Sequence, residues 1–288
     1  MLTLAIANQK GGVGKTTTVI NMGWWFHKQG LRVLLVDLDG QGHVATGLNL
    51  EKRDDLYQWL VNGKPIKQIT PTSPELGASV PLRFTSGIGE GGSRPLHLVR
   101  NDHTSELVKE HIRNANFREH LLKNALAEVA GDFDLCILDT PPSTDVLHIL
   151  ALVAADTLII PALMDFYALD GINYELRTLR DLQRVPGVTP PELLGILPTR
   201  FERRTNETIN NLAELAQKIG SSILLPPIPE DTKMREASAA GKPIWEYAPR
   251  ARSAIGFEAM SESVNSLGRT GGYLHVCEVV DGMMKWER

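Results

Sequence analysis

Short apolar runs recur along this 288-residue chain, separated by mixed stretches of helical length. Leu2 to Ala7, Arg32 to Asp37 and Leu135 to Asp139 are near-continuous apolar runs and read as strands buried on both faces. Leu96 to Val99 is a shorter candidate, and Thr157 to Pro161, Leu193 to Pro198 and about Ser222 to Leu225 extend the series. Helical patterning fills the gaps over Thr16 to Gln29 (closed by Gly30), Asp54 to Asn62, Ser105 to Arg113, Asn116 to Ala130, Ala168 to Gln183 and Glu207 to Ile219. Strands alternating with helices of this length imply right-handed βαβ crossovers. The expected fold class is therefore α/β: a single doubly wound, mostly parallel sheet flanked by helices, with ligand at the carboxyl ends of the strands. Residues 1–288 are expected to form one domain. Thr70 to Pro95 interrupts the pattern with Pro, Gly and Ser, and reads as a loop or insertion, either a partner site or a tolerated excursion.

Between the first strand and the first helix stands Lys10-Gly11-Gly12-Val13-Gly14-Lys15-Thr16-Thr17. Glycines let successive backbone N–H groups converge on an anion, and the helix start adds its partial positive charge. Lys15 can then reach terminal phosphates, and the Thr16 hydroxyl can bind Mg²⁺. Two acidic clusters end predicted strands: Asp37-Leu38-Asp39-Gly40-Gln41 and Asp139-Thr140-Pro141-Pro142. Residues two apart on a strand share a face, so Asp37 and Asp39 are expected to address one metal–phosphate centre. Capping of the following helices is the structural alternative for either cluster taken singly.

The loop departs from the ordinary G-x-x-x-x-G-K-[ST] pattern: Gln9 stands where glycine is required, and a second lysine, Lys10, follows it. This arrangement resembles the deviant Walker A motif of the ParA/MinD family of P-loop ATPases, closest to ParA-type partition ATPases. The resemblance runs from Leu2 to about Gly282. It implies ATP and Mg²⁺ as ligands, bound by residues 11–17 (Gly11, Gly12, Val13, Gly14, Lys15, Thr16 and Thr17). Asp37, Asp139 and Thr16 would support the metal, and Asp39 would orient or deprotonate the attacking water. Lys10 would cross a dimer interface to the partner's nucleotide, so hydrolysis by one subunit alone is expected to be slow. Gly40 stands where the family commonly has proline. Segments Gly195 to Asn206 and Ile228 to Ile244 are also similar to the family, which implies adenine contacts at Thr199 and Pro229; relatives often have asparagine where this chain has Thr199. The partners implied are a second copy of the chain in the ATP state, non-specific double-stranded DNA and a ParB-like activator, and the implied location is the nucleoid.

Composition changes this picture little. Net charge is −4, so no global basic field marks nucleic-acid binding. Local cations do occur in the C-terminal half, and Arg203, Arg204, Lys233 and Arg235 are the candidate DNA contacts, against an ordinary mixed-charge surface. Cys136 and Cys277 form no metal or C-x-x-C pattern, which suits a reducing cytosol and argues against iron–sulfur chemistry, which needs clustered or symmetry-paired thiolates. No apolar run approaches 18 residues, so no transmembrane segment is expected. The chain opens directly on its first strand, which predicts neither a signal peptide nor an N-terminal DNA-binding extension. Tyr273 to Trp286 reads as a terminal helix whose acidic residues favour packing over the membrane-surface role of MinD- or FlhG-like relatives. A metabolic P-loop enzyme and an ATP-holding regulatory module are further alternatives.

Overall fold

The computed structural model describes residues 1–66, 96–115, 118–165, 168–258 and 263–286. The Thr70 to Pro95 stretch lies outside the described residues. In chain order the elements are β1 (Leu2–Ile6), α1 (Lys15–Lys28), β2 (Val33–Asp37), α2 (His43–Gly47), α3 (Asp55–Leu60), β3 (His97–Val99), α4 (Ser105–Asn114) and α5 (Leu121–Val129). There follow β4 (Leu135–Asp139), α6 (Val146–Ala154), β5 (Thr157–Leu163), α7 (Ala168–Leu182), β6 (Glu192–Thr199) and α8 (Asn206–Ile219). The chain then runs through α9 (Thr232–Ala239), α10 (Ile244–Tyr247), α11 (Arg252–Ile255), a small hairpin of β7 (Phe257–Glu258) and β8 (Arg269–Thr270), and α12 (Gly272–Met283).

Six strands form one sheet in the order β3-β2-β4-β1-β5-β6, and every pairing is parallel. The order follows from burial. β2 alternates its side chains between two apolar layers: Val33 and Leu35 face α1 and α12, whereas Leu34 and Val36 face the layer of α3 to α6. A strand covered on both sides must be apolar throughout, which is why these strands read as continuous runs. Inserting β4 between β2 and β1 brings Asp139 into register with both Asp37 and Ile6, so the ends of all three strands meet beneath one loop.

Two expectations change. The segment around Ser222 to Leu225 is a 3₁₀ turn over Ser221–Ile223 with a single bridge, Ile196 to Leu224. Pro226 and Pro227 follow at once; lacking N–H groups, they deny β6 a continuous ladder partner. In the stretch from Asn116 to Ala130, the described residues form a 3₁₀ turn, Arg118–His120, before α5 begins at Leu121. The last helix packs as expected. Tyr273, Val276, Cys277 and Val280 of α12 are buried against the α1 layer, and Trp286 meets Phe26 edge-on at 5.9 Å. Both cysteines are buried, and burial pushes both thiols up, so neither is a reactive thiolate. Trp25 is buried in the core beside Phe26, and Trp24 stacks on Trp245 at 5.7 Å.

Candidate nucleotide site

The loop leaves β1 through three fixed residues. Asn8 donates its side-chain amide to Pro161 O (2.8 Å) and accepts the Lys10 N–H (2.9 Å). Gln9 N–H is held by Glu175 Oε1 at 3.0 Å. At the far end, Gly14 has φ +91°, a left-handed turn that a side chain would resist, and its carbonyl accepts Thr18 N–H to open α1. Gly14 is the N-cap residue, and no side-chain cap occupies this helix start. The first N–H groups of α1 therefore remain available to an anion, as a phosphate cradle requires.

The two lysines sit differently. Lys15 is buried, with its ammonium 3.2 Å from Lys10 O, and burial lowers its pKa despite the opposing charges of Asp139, Asp39 and Glu175. A phosphate would restore the charge partner that this position lacks. Lys10 is partly exposed and forms an ion pair at 2.6 Å with Asp165, just beyond β5 of its own chain. Asp165 was not anticipated as a site residue; an acidic residue directly after a buried strand is the signal that could have marked it.

Asp139 and Asp37 are fully buried neighbours at adjacent strand ends. Asp139 Oδ2 accepts the Thr16 hydroxyl at 2.7 Å, while its Oδ1 is buried with no hydrogen-bond partner. Burial raises the Asp139 carboxyl to about 7, with Thr16 and Lys15 pulling it back. An orphaned carboxylate oxygen beside a hydroxyl is a hard-oxygen site suited to Mg²⁺. No cluster of three or more metal-binding side chains exists among the described residues. That suits Mg²⁺ held by one or two protein groups, water and phosphate rather than a protein cage.

Asp37 is engaged otherwise: its two oxygens accept Asp39 N–H (3.0 Å) and Val44 N–H (3.1 Å), and burial followed by the Asp139 charge raises its pKa. β2 ends at Asp37, so strand alternation does not govern Asp39. Asp39 lies in the following turn, where its Oδ1 accepts Gln41 N–H at 2.9 Å, and its charge bears on Lys15 and Asp139. Gly40 stands in a crowded turn. A Cβ there would collide with Ser105 Oγ and lie 3.3 Å from Asp102 O, because the segment entering α4 rests on this turn.

Beside the loop opens a hollow of about 430 Å³, walled by Gly12, Thr17, Thr199, Pro229, Met234 and Tyr273 among others. Thr199 is buried; its hydroxyl donates to Val13 O (2.9 Å) and also lies 3.2 Å from Ala162 O, so it braces the loop from behind. The Ile228-to-Asp231 turn is anchored by Asp231, which caps α9 at Lys233 N–H and accepts Ser253 N–H. Met234 and Tyr273 were missed because they come from two separate helices that only the fold brings together. Of the four candidate DNA residues, Arg235 lines this same hollow. Arg203 and Arg204 line a second hollow of about 520 Å³ with Arg252 and Phe257, and Arg203 lies over the Phe257 ring at 5.8 Å. Lys233 is exposed and pairs with Glu236 at 2.7 Å.

Strand, glycine-rich loop, buried lysine and strand-end carboxylates in this arrangement define a P-loop nucleotide-binding protein. A family model described as an AAA domain matches residues 1–188. The chain is 35% identical over 268 residues to the sporulation initiation inhibitor protein Soj of Bacillus subtilis, covering 92% of this chain and 98% of that one. It is 32% identical to the chromosome-partitioning ATPase Soj of Thermus thermophilus, over 91% of this chain and 94% of the relative. The structure of cobyrinic acid a,c-diamide synthase from Mycobacterium smegmatis with bound ADP and magnesium is 30% identical, covers 86% of this chain and 93% of that one, and superposes with a TM-score of 0.68. The chain belongs to the ParA/MinD family of partition ATPases.

Proposed function

We propose that this chain is a DNA-partitioning ATPase that hydrolyses ATP slowly, closes into a nucleotide-sandwich dimer and holds non-specific double-stranded DNA in that state. A ParB-like activator then stimulates hydrolysis and releases it. The observation that carries the reading is the division of labour between the two lysines. Lys15 is buried at the helix start, beside its own subunit's phosphate cradle, whereas Lys10 is partly exposed and paired with Asp165. A surface ion pair of this kind is worth about 1 kcal/mol or less, so exchanging Asp165 for a partner's nucleotide is inexpensive.

In this reading residues 11–17 cradle the phosphates, and Thr199 and Pro229 border the adenine. Thr16 and Asp139 hold Mg²⁺, with Asp37 fixing the turn that carries Asp39. When bound there, the metal would offset charge developing at the transferred phosphoryl group. Asp39 directs a water at the γ-phosphorus and accepts its proton as ADP leaves. Arg203 and Arg204, with Lys233 as an outlying contact, meet DNA phosphates. The domain acts as one unit in the cytoplasm, on the nucleoid. Among the described residues no helix is long and apolar enough to cross a membrane, and the covered apolar face of α12 leaves little for a membrane surface.

The test is binding of the Asp39→Ala protein to non-specific duplex DNA, with ATP against ADP, over a salt series. This variant should accumulate as an ATP dimer, with turnover reduced about 100-fold or more, and bind DNA only with ATP and more weakly as salt rises. A dimer that ignores DNA in both nucleotide states would defeat the reading and direct attention to anionic liposomes. Fast hydrolysis by the variant would remove Asp39 from its assigned role.

A further inference from the structure

Behind the phosphate loop lies a buried hydrogen-bonded pair that the hydrolytic reading leaves unused. His148, in the first turn of α6, and Glu175, in the middle of α7, are both fully buried, with His148 Nε2 3.0 Å from Glu175 Oε2. The other Glu175 oxygen accepts the N–H of Gln9, the residue immediately before Lys10. One turn earlier in α7, Gly171 lets the helix approach so closely that a Cβ there would stand 2.8 Å from Asn8 Oδ1. Asn8 Oδ1 in turn holds the Lys10 N–H. Two consecutive peptide N–H groups at the mouth of the loop are therefore held, one by Glu175 of α7 and the other by Asn8, against which Gly171 of α7 packs.

Burying a carboxylate and an imidazole costs several kcal/mol of desolvation, and apolar residues of similar volume usually stabilise such a site as well or better. Packing alone does not account for the pair. Its geometry does something packing cannot: it fixes a backbone N–H. A neutral apolar side chain at position 175 would leave the Gln9 N–H without this acceptor and free the Asn8–Gln9 peptide, directly before Lys10, to rotate. His148 links that contact to α6, the helix that Asp145 caps directly after Asp139-Thr140-Pro141-Pro142.

We infer that Glu175, held by His148, is a positioning residue for Lys10: it sets the direction in which the loop presents this lysine and ties that direction to the helix following Asp139. The inference rests on the proposed action of Lys10 across the dimer. Glu175 holds the Gln9 N–H directly and reaches Lys15 only through its charge, so the larger effect falls on the rate of the dimer-dependent step and the smaller on nucleotide affinity.

The test compares four full-length proteins: wild type, Lys10→Ala, the apolar double variant His148→Leu/Glu175→Met, and His148→Gln. Melting temperature, ATP affinity, KM and kcat are measured for each in the presence of duplex DNA. The double variant should melt no lower than wild type and bind ATP within a factor of about 3, since the Glu175 charge that bears on Lys15 is lost, yet lose about 10-fold or more in kcat. His148→Gln keeps a donor for Glu175 and hence the Gln9 contact, and should retain most of the turnover. Wild-type kcat in the double variant, with Lys10→Ala impaired, overturns the inference while sparing the trans role of Lys10. Unchanged turnover in Lys10→Ala removes both. Independently of how the variants fold, the Gln9 amide of the wild-type chain should exchange slowly with solvent deuterium; rapid exchange there also overturns the inference.

Discussion

The phosphate-loop hollow and the arginine-lined hollow are adjacent and share Glu230 as a wall, yet they are built on different principles. Around the loop each functional group is fixed from behind. Thr16 is bound to Asp139, Asp37 to two backbone amides, Thr199 to Val13, and Gln9 to Glu175. In the other hollow, Arg204 is exposed and Arg203 is steadied mainly by a ring face. The first region can impose geometry on a reacting phosphate. The second offers charge without fixed direction, which is enough for a polyanion whose phosphates repeat at short intervals. On this difference the loop region should tolerate little change and the arginine-lined region more.

If that contrast is right, Lys15→Ala should have the largest effect. It removes a buried cation from the phosphate side, and nucleotide affinity should fall by about 2 kcal/mol or more, measured by titration calorimetry with ADP and ATP. Retained affinity would break the comparison at its stronger half. The double charge reversal Arg203→Glu/Arg204→Glu should leave nucleotide binding intact. It should weaken DNA binding and lower the slope of log affinity against log salt by about 2, read by fluorescence anisotropy. Arg235→Glu separates the two regions further: because Arg235 lines the loop hollow, its reversal should disturb nucleotide as well as DNA.

Legibility follows the same divide. The strand ends, the loop and both acidic clusters were readable because each lies within one short stretch whose chemistry depends on local order. The β2 alternation argument did not reach Asp39, since the strand stops at Asp37 and a turn carries the chain on. The 3₁₀ turn at Ser221 was masked by an apolar run, although the prolines after it already forbade a ladder. Asp165, Glu175, Met234 and Tyr273 were not readable as site residues: they lie scattered between positions 165 and 273, and only the crossovers bring them to the loop. Gly40 was noticed as a departure from the family, but the residue that crowds it, Ser105, lies 65 positions away in sequence and becomes visible only in three dimensions.

That glycine sharpens the stronger half of the comparison. If the turn carrying Asp39 is as tightly backed as it looks, Gly40→Ala should cost about 1–3 kcal/mol through overpacking, measured by urea unfolding, and should slow turnover through Asp39. Ser105→Gly in the same chain should recover most of both. Recovery of stability without turnover would show that the backing supports the fold and not the catalytic turn.

The smallest effect concerns the buried carboxylates, and its sign is fixed. Burial raises the Asp139 carboxyl from 3.8 to about 7, and Asp37 is raised by burial and by Asp139. For an acid whose folded pKa is raised, the stabilisation is complete below the unfolded value. It is lost as pH climbs towards the folded value, because the unfolded chain releases its proton first. The nucleotide-free protein should therefore lose stability through Asp139 as pH rises from about 4 to about 7, and lose little more above that. Magnesium requires the ionised carboxylate, so its binding draws the proton off and the trend reverses. The rise in melting temperature on adding ADP with Mg²⁺ should be larger at about pH 8 than at about pH 6 by a few degrees, and Asp139→Asn should flatten that difference. An equal rise at both pH values would mean that the orphaned Asp139 oxygen is not where the metal's charge is felt, and the loop region would then differ from the arginine region in burial alone.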